Sequence, residues 1–424
     1  MRLTFICAQL PYPPNHGGTV DMWRRVCALH DAGVKLRIVC WHQAEAGDPE
    51  LAENLARIRE KAESVVVFPF QTGLASKLPR LARLLTLPWA ASARSLSEQA
   101  YAAVLGSERA AAVDAVWLDG LYGGDLALKL AHALQRPLFY RSHNIEHRYT
   151  RYQLNSAHGM REQAHWLLRN CNVEHFERRV LREAEAFFDI SVDDLAYWRA
   201  CGFTHGHWLP TLVDQEMAAR LSAPVSRAPE FDVGYLGNLF MPNNVFGISW
   251  FIEQVVPTLL QRNPALRIFI AGSRPNERIR ALLTAVPQIT LIESPPDAAM
   301  VLRNAKVLIN PVFAGSGVNV KSVEMLFTPA ALVSTPQGLA GLPENVAACF
   351  QVATEADAFA QAIQNALQAD LHTPAYALQR QRARQCFQSS RIAEILPVLQ
   401  NSRAHEIAAP TRTVAVRGID QKVG

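Results

Sequence analysis

Two glycines, a lysine and a glutamate between residues 315 and 324 could together bind a nucleoside diphosphate. Gly315 and Gly317 follow an apolar run and precede a helical pattern, so backbone N–H groups can approach an anion there without a Cβ in the way. The N-terminus of the helix adds unpaired N–H donors and the positive end of its dipole. Lys321 supplies a full positive charge in the first turn, and Glu324, on the same face, could accept hydrogen bonds from ribose hydroxyls. A glycine turn followed by an exposed Lys–Glu pair explains the spacing equally well.

This segment is part of a longer resemblance. Residues 310–326 resemble the donor-binding loop and helix of family 4 glycosyltransferases, particularly the bacterial exopolysaccharide-type branch with the motif G-S-G-x-x-x-K-x-x-E. Residues 234–244 and 268–275 are similar to the first two strand-and-loop units of that branch's C-terminal domain, and residues 331–342 to its later strand and glycine loop. The resemblance runs through most of 231–345 in the right order, which makes it far more specific than a lone glycine motif.

The resemblance implies a fold, a reaction and a set of site residues. The implied fold is GT-B, with two Rossmann-like doubly wound parallel-sheet domains facing a cleft. The implied reaction moves a sugar from a nucleotide diphosphate sugar to a polysaccharide, oligosaccharide or lipid-linked acceptor, with retention. The leaving diphosphate would be stabilised by charge and by loop N–H groups, so no covalent protein nucleophile is needed. The matching positions give His143, Lys321 and Glu324 as catalytic residues. The implied donor-binding residues are Gly17, Gly18, Asn144, Gly237, Asn238, Asn243, Arg274, Gly315, Ser316, Gly317, Val318 and Asn319.

The N-terminal half supplies two of these groups. Residues 11–18 lie between a predicted strand and a predicted helix and resemble the family's acceptor-domain loop, in which Gly17 and Gly18 would approach the diphosphate. Residues 140–147 are similar to the branch's H-N-x-E segment, whose histidine faces the donor sugar. Ligands of open α/β sheets bind at the carboxyl ends of the strands, and His143 follows such a strand. We therefore favour a functional role for His143 over a structural one.

Two departures from the family pattern affect the donor site. Many family 4 enzymes carry two glutamates eight positions apart, and the first of them falls on Ser316 here. The Arg and Lys often found in the first C-terminal loop correspond to Asn238 and Asn243. The positive charge for the phosphates must then come mainly from Lys321, with help from Arg274.

Metal and cofactor chemistry is not expected. A metal-dependent GT-A transferase would need an Asp-x-Asp motif, and none occurs in the chain. The seven cysteines are scattered and contain no C-x-x-C pair, which favours reduced thiols in the cytosol over a zinc site or a disulfide framework. We expect no cofactor and no metal, with the nucleotide sugar as a substrate.

Short apolar runs alternate with helical patterns in two successive arrays, which is typical of doubly wound parallel sheets. We predict an acceptor-side domain over 1–212, a nucleotide-sugar-binding domain over 213–375, closing helices over 376–400 that could pack back on the first domain, and a disordered tail over 401–424. The predicted strands are 3–10, 34–41, 65–69, 115–119, 138–142, 187–192, 231–237, 266–271, 289–293, 307–311 and 331–334. The predicted helices are 20–32, 50–63, 161–188, 245–260, 277–286, 318–326, 359–368 and 376–399. The last residues of 161–188 overlap the predicted strand 187–192.

The composition excludes several classes of partner. Apolar residues make up 49% and charged residues 19% of the chain, which indicates a globular protein. A balance of 42 basic against 38 acidic residues is too even to favour nucleic acid. No run approaches the roughly 20 apolar residues of a transmembrane helix. We expect a cytoplasmic protein, with the inner face of the cell membrane as an alternative location.

Residues 72–96 carry the one sequence signal for a membrane contact. Lys77, Arg80, Arg83 and Arg94 alternate with leucines, and no acidic residue interrupts them. The first three can share one helical face with leucines opposite, which is typical of an interfacial helix. An ordinary helix that covers the acceptor-side domain explains the pattern equally well.

Two other functions remain open at this point. A nucleotide-sugar epimerase could share the GT-B fold, and Ser316 at the usual glutamate position would also suit a non-catalytic GT-B partner subunit. The sequence leaves the donor sugar, the acceptor and the linkage undetermined.

Overall fold

The computed structural model describes residues 1–43, 49–71, 73–157, 159–223, 228–315, 317–371 and 373–407 of the 424-residue chain. Ser316 therefore lies outside the described residues, as does the part of the predicted tail beyond Ile407.

The N-terminal domain is built on a seven-stranded parallel sheet. Its order, β3-β2-β1-β4-β5-β6-β7, reverses between β1 and β4, which is where a doubly wound sheet places a ligand crevice. The strands are β1 (Arg2–Cys7), β2 (Lys35–Trp41), β3 (Ser64–Phe68), β4 (Ala115–Asp119), β5 (Leu138–Ser142), β6 (Ala186–Asp189) and β7 (Gly206–Trp208). The helices are α1 (Gly17–Asp31), α2 (Pro49–Arg59), α3 (Leu74–Arg83), α4 (Trp89–Ser92), α5 (Glu98–Ala110), α6 (Gly124–Leu134), α7 (Glu146–Ser156), α8 (Met160–Asn170), α9 (Val173–Glu183) and α10 (Val192–Ala200).

The C-terminal domain repeats the design with six parallel strands in the order β10-β9-β8-β11-β12-β13. The strands are β8 (Phe231–Leu236), β9 (Ile268–Gly272), β10 (Ile289–Glu293), β11 (Ala305–Asn310), β12 (Ala331–Ser334) and β13 (Gln351–Val352). The helices are α11 (Gln215–Ser222), α12 (Pro242–Trp250), α13 (Val256–Arg262), α14 (Glu277–Thr284), α15 (Ala298–Arg303), α16 (Val320–Phe327), α17 (Glu344–Ala347), α18 (Ala356–Gln368), α19 (Pro374–Gln385) and α20 (Ile392–Ile407).

Each sheet is covered by apolar packing on both faces. In the first domain Leu118 and Trp117, neighbours on β4, point into different core clusters, and in the second domain Val307 and Leu308 of β11 do the same. Near-continuous apolar strands are required because parallel sheets bury both faces. The prediction of two doubly wound α/β domains is confirmed.

Two of the predicted helices each correspond to two separate helices in the structure. The stretch 161–188 contains α8 and α9, which are separated at Asn172, a residue with φ of 61° that interrupts the helical backbone. The stretch 376–399 spans parts of α19 and α20, which are separated by a short 3₁₀ turn at Ser389–Arg391, and α20 continues to Ile407. Helical periodicity continues through both breaks, so the pattern alone did not reveal them. The predicted elements did not include helices α5, α6, α7, α10, α11, α15 and α17 or strands β7 and β13.

The chain crosses between the domains twice, and the two crossings pair with each other. The Val213 N–H donates to the Phe387 carbonyl at 2.7 Å, and the Ser389 N–H donates to the Val213 carbonyl at 3.1 Å. Beyond this bridge, α20 packs its buried Ile395 and Leu399 into the core beneath the N-terminal sheet. The last helix therefore joins the first domain.

The basic face expected on α3 is not formed as predicted. Arg80 is buried, with its guanidinium 3.7 Å from the centre of the Trp89 ring, and it donates to the backbone carbonyls of Gln71 and Trp89. Leu78 and Leu85 are instead 78% and 89% exposed. Helical spacing shows which side chains share a face, but tertiary packing decides which face turns inward.

Candidate active site

The carboxyl ends of the two sheets face each other across a cleft, and glycines set the distance between their loops. A Cβ on Gly317 would lie 2.5 Å from Asn144 Oδ1 and 2.8 Å from the His143 carbonyl oxygen, and its φ of 68° is itself unfavourable for other residues. A Cβ on Gly17 would lie 3.6 Å from Val320 Cγ2. The predicted loops of the two domains are therefore in contact, and Gly317 has no room for a side chain.

His143 is held at the end of β5 by a buried carboxylate. Its Nε2 lies 2.7 Å from Asp119 Oδ1, and its Nδ1 lies 3.7 Å from Asp21 Oδ2. The side chain of Asp119 also accepts from Arg25 Nε at 2.7 Å and from the Trp117 indole at 3.1 Å. Burial opposes ionisation of Asp119, but Arg25 and His143 outweigh it and hold the pKa of this carboxyl well below its usual range. An ionised Asp119 can only accept, so the imidazole proton is placed on Nε2.

The network around Asp119 continues along α1 and β5. Asp21 accepts from Arg25 Nη1 at 2.9 Å and from Arg141 Nη2 at 3.3 Å, and all of these side chains are buried. Burial again opposes ionisation, and the two guanidinium groups lower the pKa of Asp21. Sequence reasoning identified His143 but missed Asp119, although Asp119 ends β4 and His143 directly follows the neighbouring strand β5.

Lys321 lies in the first turn of α16 without a counter-ion among the described residues. Its Nζ donates to the Tyr235 hydroxyl at 3.0 Å and to Asn244 Oδ1 at 2.9 Å, and it sits 4.6 Å from the centre of the Tyr235 ring. Within the described parts of the chain, no carboxylate is close enough to form an ion pair with it. Burial lowers the pKa of Lys321 to about 7. A Cβ on Gly237 would lie 2.5 Å from the Tyr235 hydroxyl, so the glycine leaves this hydroxyl in place for Lys321.

Glu324 points away from Lys321 and across the cleft. Its Oε1 lies 2.6 Å from Nη2 of Arg24, on α1 of the other domain. The expected pair on one helical face is therefore replaced by two separate contacts: Lys321 bonds within its own domain, and Glu324 pairs with the other domain. Arg24 was missed by the sequence analysis, although it lies two helical turns after Gly17 on the same helix.

The other predicted donor residues line the loops around α16. Asn238 Oδ1 accepts from the Phe240 N–H at 2.9 Å, and a Cβ on Gly315 would lie 3.6 Å from Asn243 Nδ2. Arg274 is exposed, with a left-handed φ of 53°. Gly18 lies in the first turn of α1, Asn319 occupies the N-cap position of α16 without a side-chain capping bond, and Val318 lies beside Gly341. Among the described residues, no group of three or more His, Cys, Asp and Glu side chains is placed to hold a metal ion.

Two arginines of α19 fix the other end of α16. The buried Arg380 donates to the carbonyls of Ala330 and Thr328, each at 2.7 Å, and to Met325 at 2.9 Å. Arg384 adds a bond to the Leu326 carbonyl at 2.7 Å. These guanidinium groups satisfy carbonyls that a helix end leaves unpaired and suit the negative end of the dipole. They hold in place the helix whose N-terminus faces the cleft.

Replacing Arg380 by methionine is expected to destabilise the C-terminal domain by roughly 3 kcal/mol or more, since each buried carbonyl left without a donor costs about 1–3 kcal/mol. The urea midpoint of unfolding, followed by circular dichroism, measures the effect. The matched control is Arg382→Met, which removes an exposed arginine from the same helix. Equal midpoints for the two variants would contradict the role assigned to Arg380.

Known proteins resemble this chain in sequence and in fold. Residues 230–369 match the family model described as Glycosyl transferases group 1. An uncharacterized 44.6 kDa protein in the cps region of Klebsiella pneumoniae is 22% identical in an alignment 392 residues long, which covers 86% of this chain and 90% of that protein.

Among solved structures, sucrose-phosphate synthase from Thermosynechococcus elongatus superposes with a TM-score of 0.63 at 16% identity, over 96% of this chain and 100% of that chain. HepE from Anabaena in complex with UDP superposes with a TM-score of 0.58 at 14% identity, over 96% of this chain and 100% of that chain. The complex of HepE with UDP-glucose superposes with a TM-score of 0.57 at the same identity and coverage. With the two parallel sheets and the cleft between them, these likenesses identify a GT-B fold, in which residues 230–369 form a Glycosyl transferases group 1 domain.

Proposed function

We propose that this chain is a glycosyltransferase that moves a sugar from a nucleotide diphosphate sugar to a polysaccharide, oligosaccharide or lipid-linked acceptor, with retention. The observation that carries the proposal is Lys321, a cation with no carboxylate partner among the described residues, beside the N-terminal end of α16. A partly buried lysine without a counter-ion gains stability in its charged form when an anion completes its site. A diphosphate supplies that anion.

Each side of the cleft contributes to the proposed reaction. The diphosphate lies at the N-terminus of α16 near Lys321, and the donor sugar extends toward His143. The acceptor hydroxyl oxygen forms the new bond to the anomeric carbon while the bond from that carbon to the phosphate oxygen breaks. The acceptor proton passes to the leaving diphosphate. Negative charge on the leaving group grows along this path, so Lys321 stabilises the transition state more than the bound donor.

The proposal is tested by donor binding and turnover. Thermal shifts with UDP, ADP, GDP and their glucose conjugates identify a donor, and UDP-glucose is the first candidate because HepE has been solved with it. Slow hydrolysis of the donor sugar in the absence of an acceptor is expected. Binding without hydrolysis or transfer would favour a non-catalytic subunit, and conversion of the donor to its epimer would favour an epimerase. Absence of binding to the whole panel would overturn the proposal.

We expect hydrolysis and transfer to proceed without a divalent metal, since the chain has no Asp-x-Asp motif and a lysine is available for the diphosphate. Turnover in excess EDTA should equal turnover in magnesium or manganese. A complete loss in EDTA that manganese restores would contradict this expectation.

We also propose that residues 72–96 contact an anionic membrane at the cytoplasmic face. Because Arg80 is buried, exposed leucines rather than a basic helical face would make most of this contact. Leu78, Leu81 and Leu85 are 78%, 47% and 89% exposed, and Lys77 is exposed beside them. No helix among the described residues has the length and apolar character required to span a bilayer. Any contact made by α3 would therefore lie in the plane of the interface.

Changing Leu78, Leu81 and Leu85 together to serine is expected to lower binding to phosphatidylserine-containing liposomes at least about tenfold, because each buried leucine contributes about 1.5–3 kcal/mol. Co-sedimentation measures the change. Met300→Ser with Leu378→Ser, which replaces exposed apolar residues of the other domain, is the control. Unchanged sedimentation of the triple variant would leave α3 as an ordinary surface helix.

A further inference from the structure

Arg94 lies at the carboxyl edge of the N-terminal sheet. Its Nε donates to the carbonyl of Ala8, the residue directly after β1, at 2.8 Å. Its guanidinium carbon lies 4.7 Å from the centre of the Phe70 ring and 5.9 Å from the centre of the Tyr122 ring, and these residues follow β3 and β4. Ligands of doubly wound sheets bind at this edge, so Arg94 is placed where a substrate can reach it.

A second arginine, Arg169 of α8, lies close to Arg94. Burial lowers the pKa of Arg94 to about 10 against an opposing effect of Tyr122, and the positive charges of Arg169 and Arg80 add to the lowering. Interactions between charges decline with distance, so these guanidinium groups are neighbours. In the described parts of the chain, neither Arg94 nor Arg169 forms an ion pair with a carboxylate. Like charges are therefore held together here without a counter-ion.

Arg94 and Arg169 both keep hydrogen-bond donors for a ligand. Arg94 uses Nε and Nη1 on the carbonyls of Ala8 and Ala90, and its Nη2 has no hydrogen-bond partner among the described residues. The side chain of Arg169 makes no hydrogen bond with a described residue, and its Nε is buried. Arg80 differs, because all three of its guanidinium nitrogens donate within the protein. Arg80 is structural, whereas the other two arginines present the forked donors that suit an oxyanion.

The surroundings of the two arginines favour an oxyanion that is attached to a lipid. Helix α4 packs against both α3 and α8, so the helix that carries Arg169 adjoins the leucine-bearing α3. Leu78 and Leu85 of α3 are strongly exposed, and so are Met160 and Leu167 of α8. Exposed apolar side chains on both helices suit a hydrocarbon chain, which a soluble acidic glycan lacks.

We propose that Arg94 and Arg169 bind the phosphate of a lipid-linked acceptor, with its hydrocarbon chain along α3 and α8 and its sugar extended toward His143. Tyr122 joins the two parts of this site, since it lies beside Arg94 and its hydroxyl donates to Glu146 Oε2, three residues after His143, at 2.7 Å. This inference rests on the proposed glycosyltransferase function. It narrows the three acceptor classes to one, a phosphate or diphosphate ester of a long-chain lipid.

The test measures binding of geranylgeranyl phosphate, a lipid phosphate without a sugar, to the full chain in a neutral detergent by isothermal titration. The wild-type chain should bind it at least about tenfold more tightly than geranylgeraniol, which has the same hydrocarbon chain and no charge. Arg94→Gln and Arg169→Gln should each weaken binding of the phosphate about tenfold and leave binding of the alcohol unchanged. Arg169→Gln keeps the test valid if Arg94→Gln misfolds, because Arg169 has no hydrogen bond to a described residue to lose. Arg161→Gln, which removes an exposed arginine from the same helix, is the control and should change neither affinity.

The possible outcomes separate this inference from the proposed function. Equal binding of geranylgeranyl phosphate by the wild type and by Arg169→Gln would overturn the lipid phosphate site. Binding of glucuronate that depends on both arginines, without binding of geranylgeranyl phosphate, would overturn it in favour of an acidic glycan. The affinity for whichever of UDP, ADP and GDP binds should stay the same in Arg169→Gln. If none of the three binds the wild-type chain, the proposed function fails, whatever the arginine variants do to the lipid phosphate.

Discussion

Replacing Lys321 by alanine is expected to weaken nucleoside diphosphate binding about ten- to a hundredfold and to slow sugar transfer further. A charge-assisted hydrogen bond contributes about 1.5–3 kcal/mol, which sets the expected loss of affinity. The additional loss of turnover follows because charge accumulates on the leaving diphosphate as the glycosidic bond breaks. Isothermal titration and initial rates measure the two effects separately.

Lys306→Ala is the matched control, because Lys306 is a lysine of the same domain that pairs with Asp232 at 2.8 Å. It lies at the start of β11, whereas the cleft lies at the other end of the strand. Equal small effects of the two substitutions on nucleotide affinity would show that the donor site is assigned wrongly.

The affinity should also depend on pH through Lys321. Burial lowers the pKa of this ammonium to about 7, and a bound anion favours its charged form. Below pH 7 the lysine is already protonated, so affinity should be nearly constant. Above pH 7 binding must take up a proton, and affinity should fall by up to about tenfold per pH unit until the pKa in the complex is reached. The arginine of a Lys321→Arg variant stays charged over this pH range, so the affinity of that variant should not fall above pH 7.

Replacing Asp119 by asparagine is expected to lower turnover about ten- to a hundredfold, since hydrogen bonds to a charged group contribute about 1.5–3 kcal/mol. Asp119 is a positioning residue, because it acts through His143, whose Nε2 it contacts at 2.7 Å. An amide cannot accept from His143, Arg25 and the Trp117 indole as a carboxylate does. The imidazole would lose its fixed orientation and proton position.

A double-mutant cycle distinguishes this role from a general loss of stability. If Asp119 acts through His143, Asp119→Asn should add little to the loss of turnover caused by His143→Ala. The Michaelis constant for the donor should change less than turnover, and thermal unfolding shows how much stability the network loses. Full additivity of the two losses would contradict the positioning role.

The sequence by itself determined the fold class. Buried strands of a parallel sheet must be apolar on both faces, so runs such as 115–119 and 138–142 appear in the sequence as strands with the bounds that the structure has. Glycines are likewise visible where backbone must approach backbone. Gly317 is assigned to the donor-binding loop by the family resemblance, whereas its contact with Asn144 of the other domain follows only from the structure.

Only the tertiary structure decided which side chains meet. Lys321 and Glu324 share a helical face in the sequence, yet one contacts Tyr235 and Asn244 and the other contacts Arg24 of the opposite domain. The spacing of residues along a helix fixes the direction in which each side chain points from the helix axis. Which other side chains it contacts depends on how the two sheets are placed. The same reason applies to Arg80, whose burial under Trp89 depends on the docking of α3 and not on its periodicity. Contacts between residues about a hundred or more positions apart, such as Arg25 with Asp119, leave no periodic signal in a single sequence.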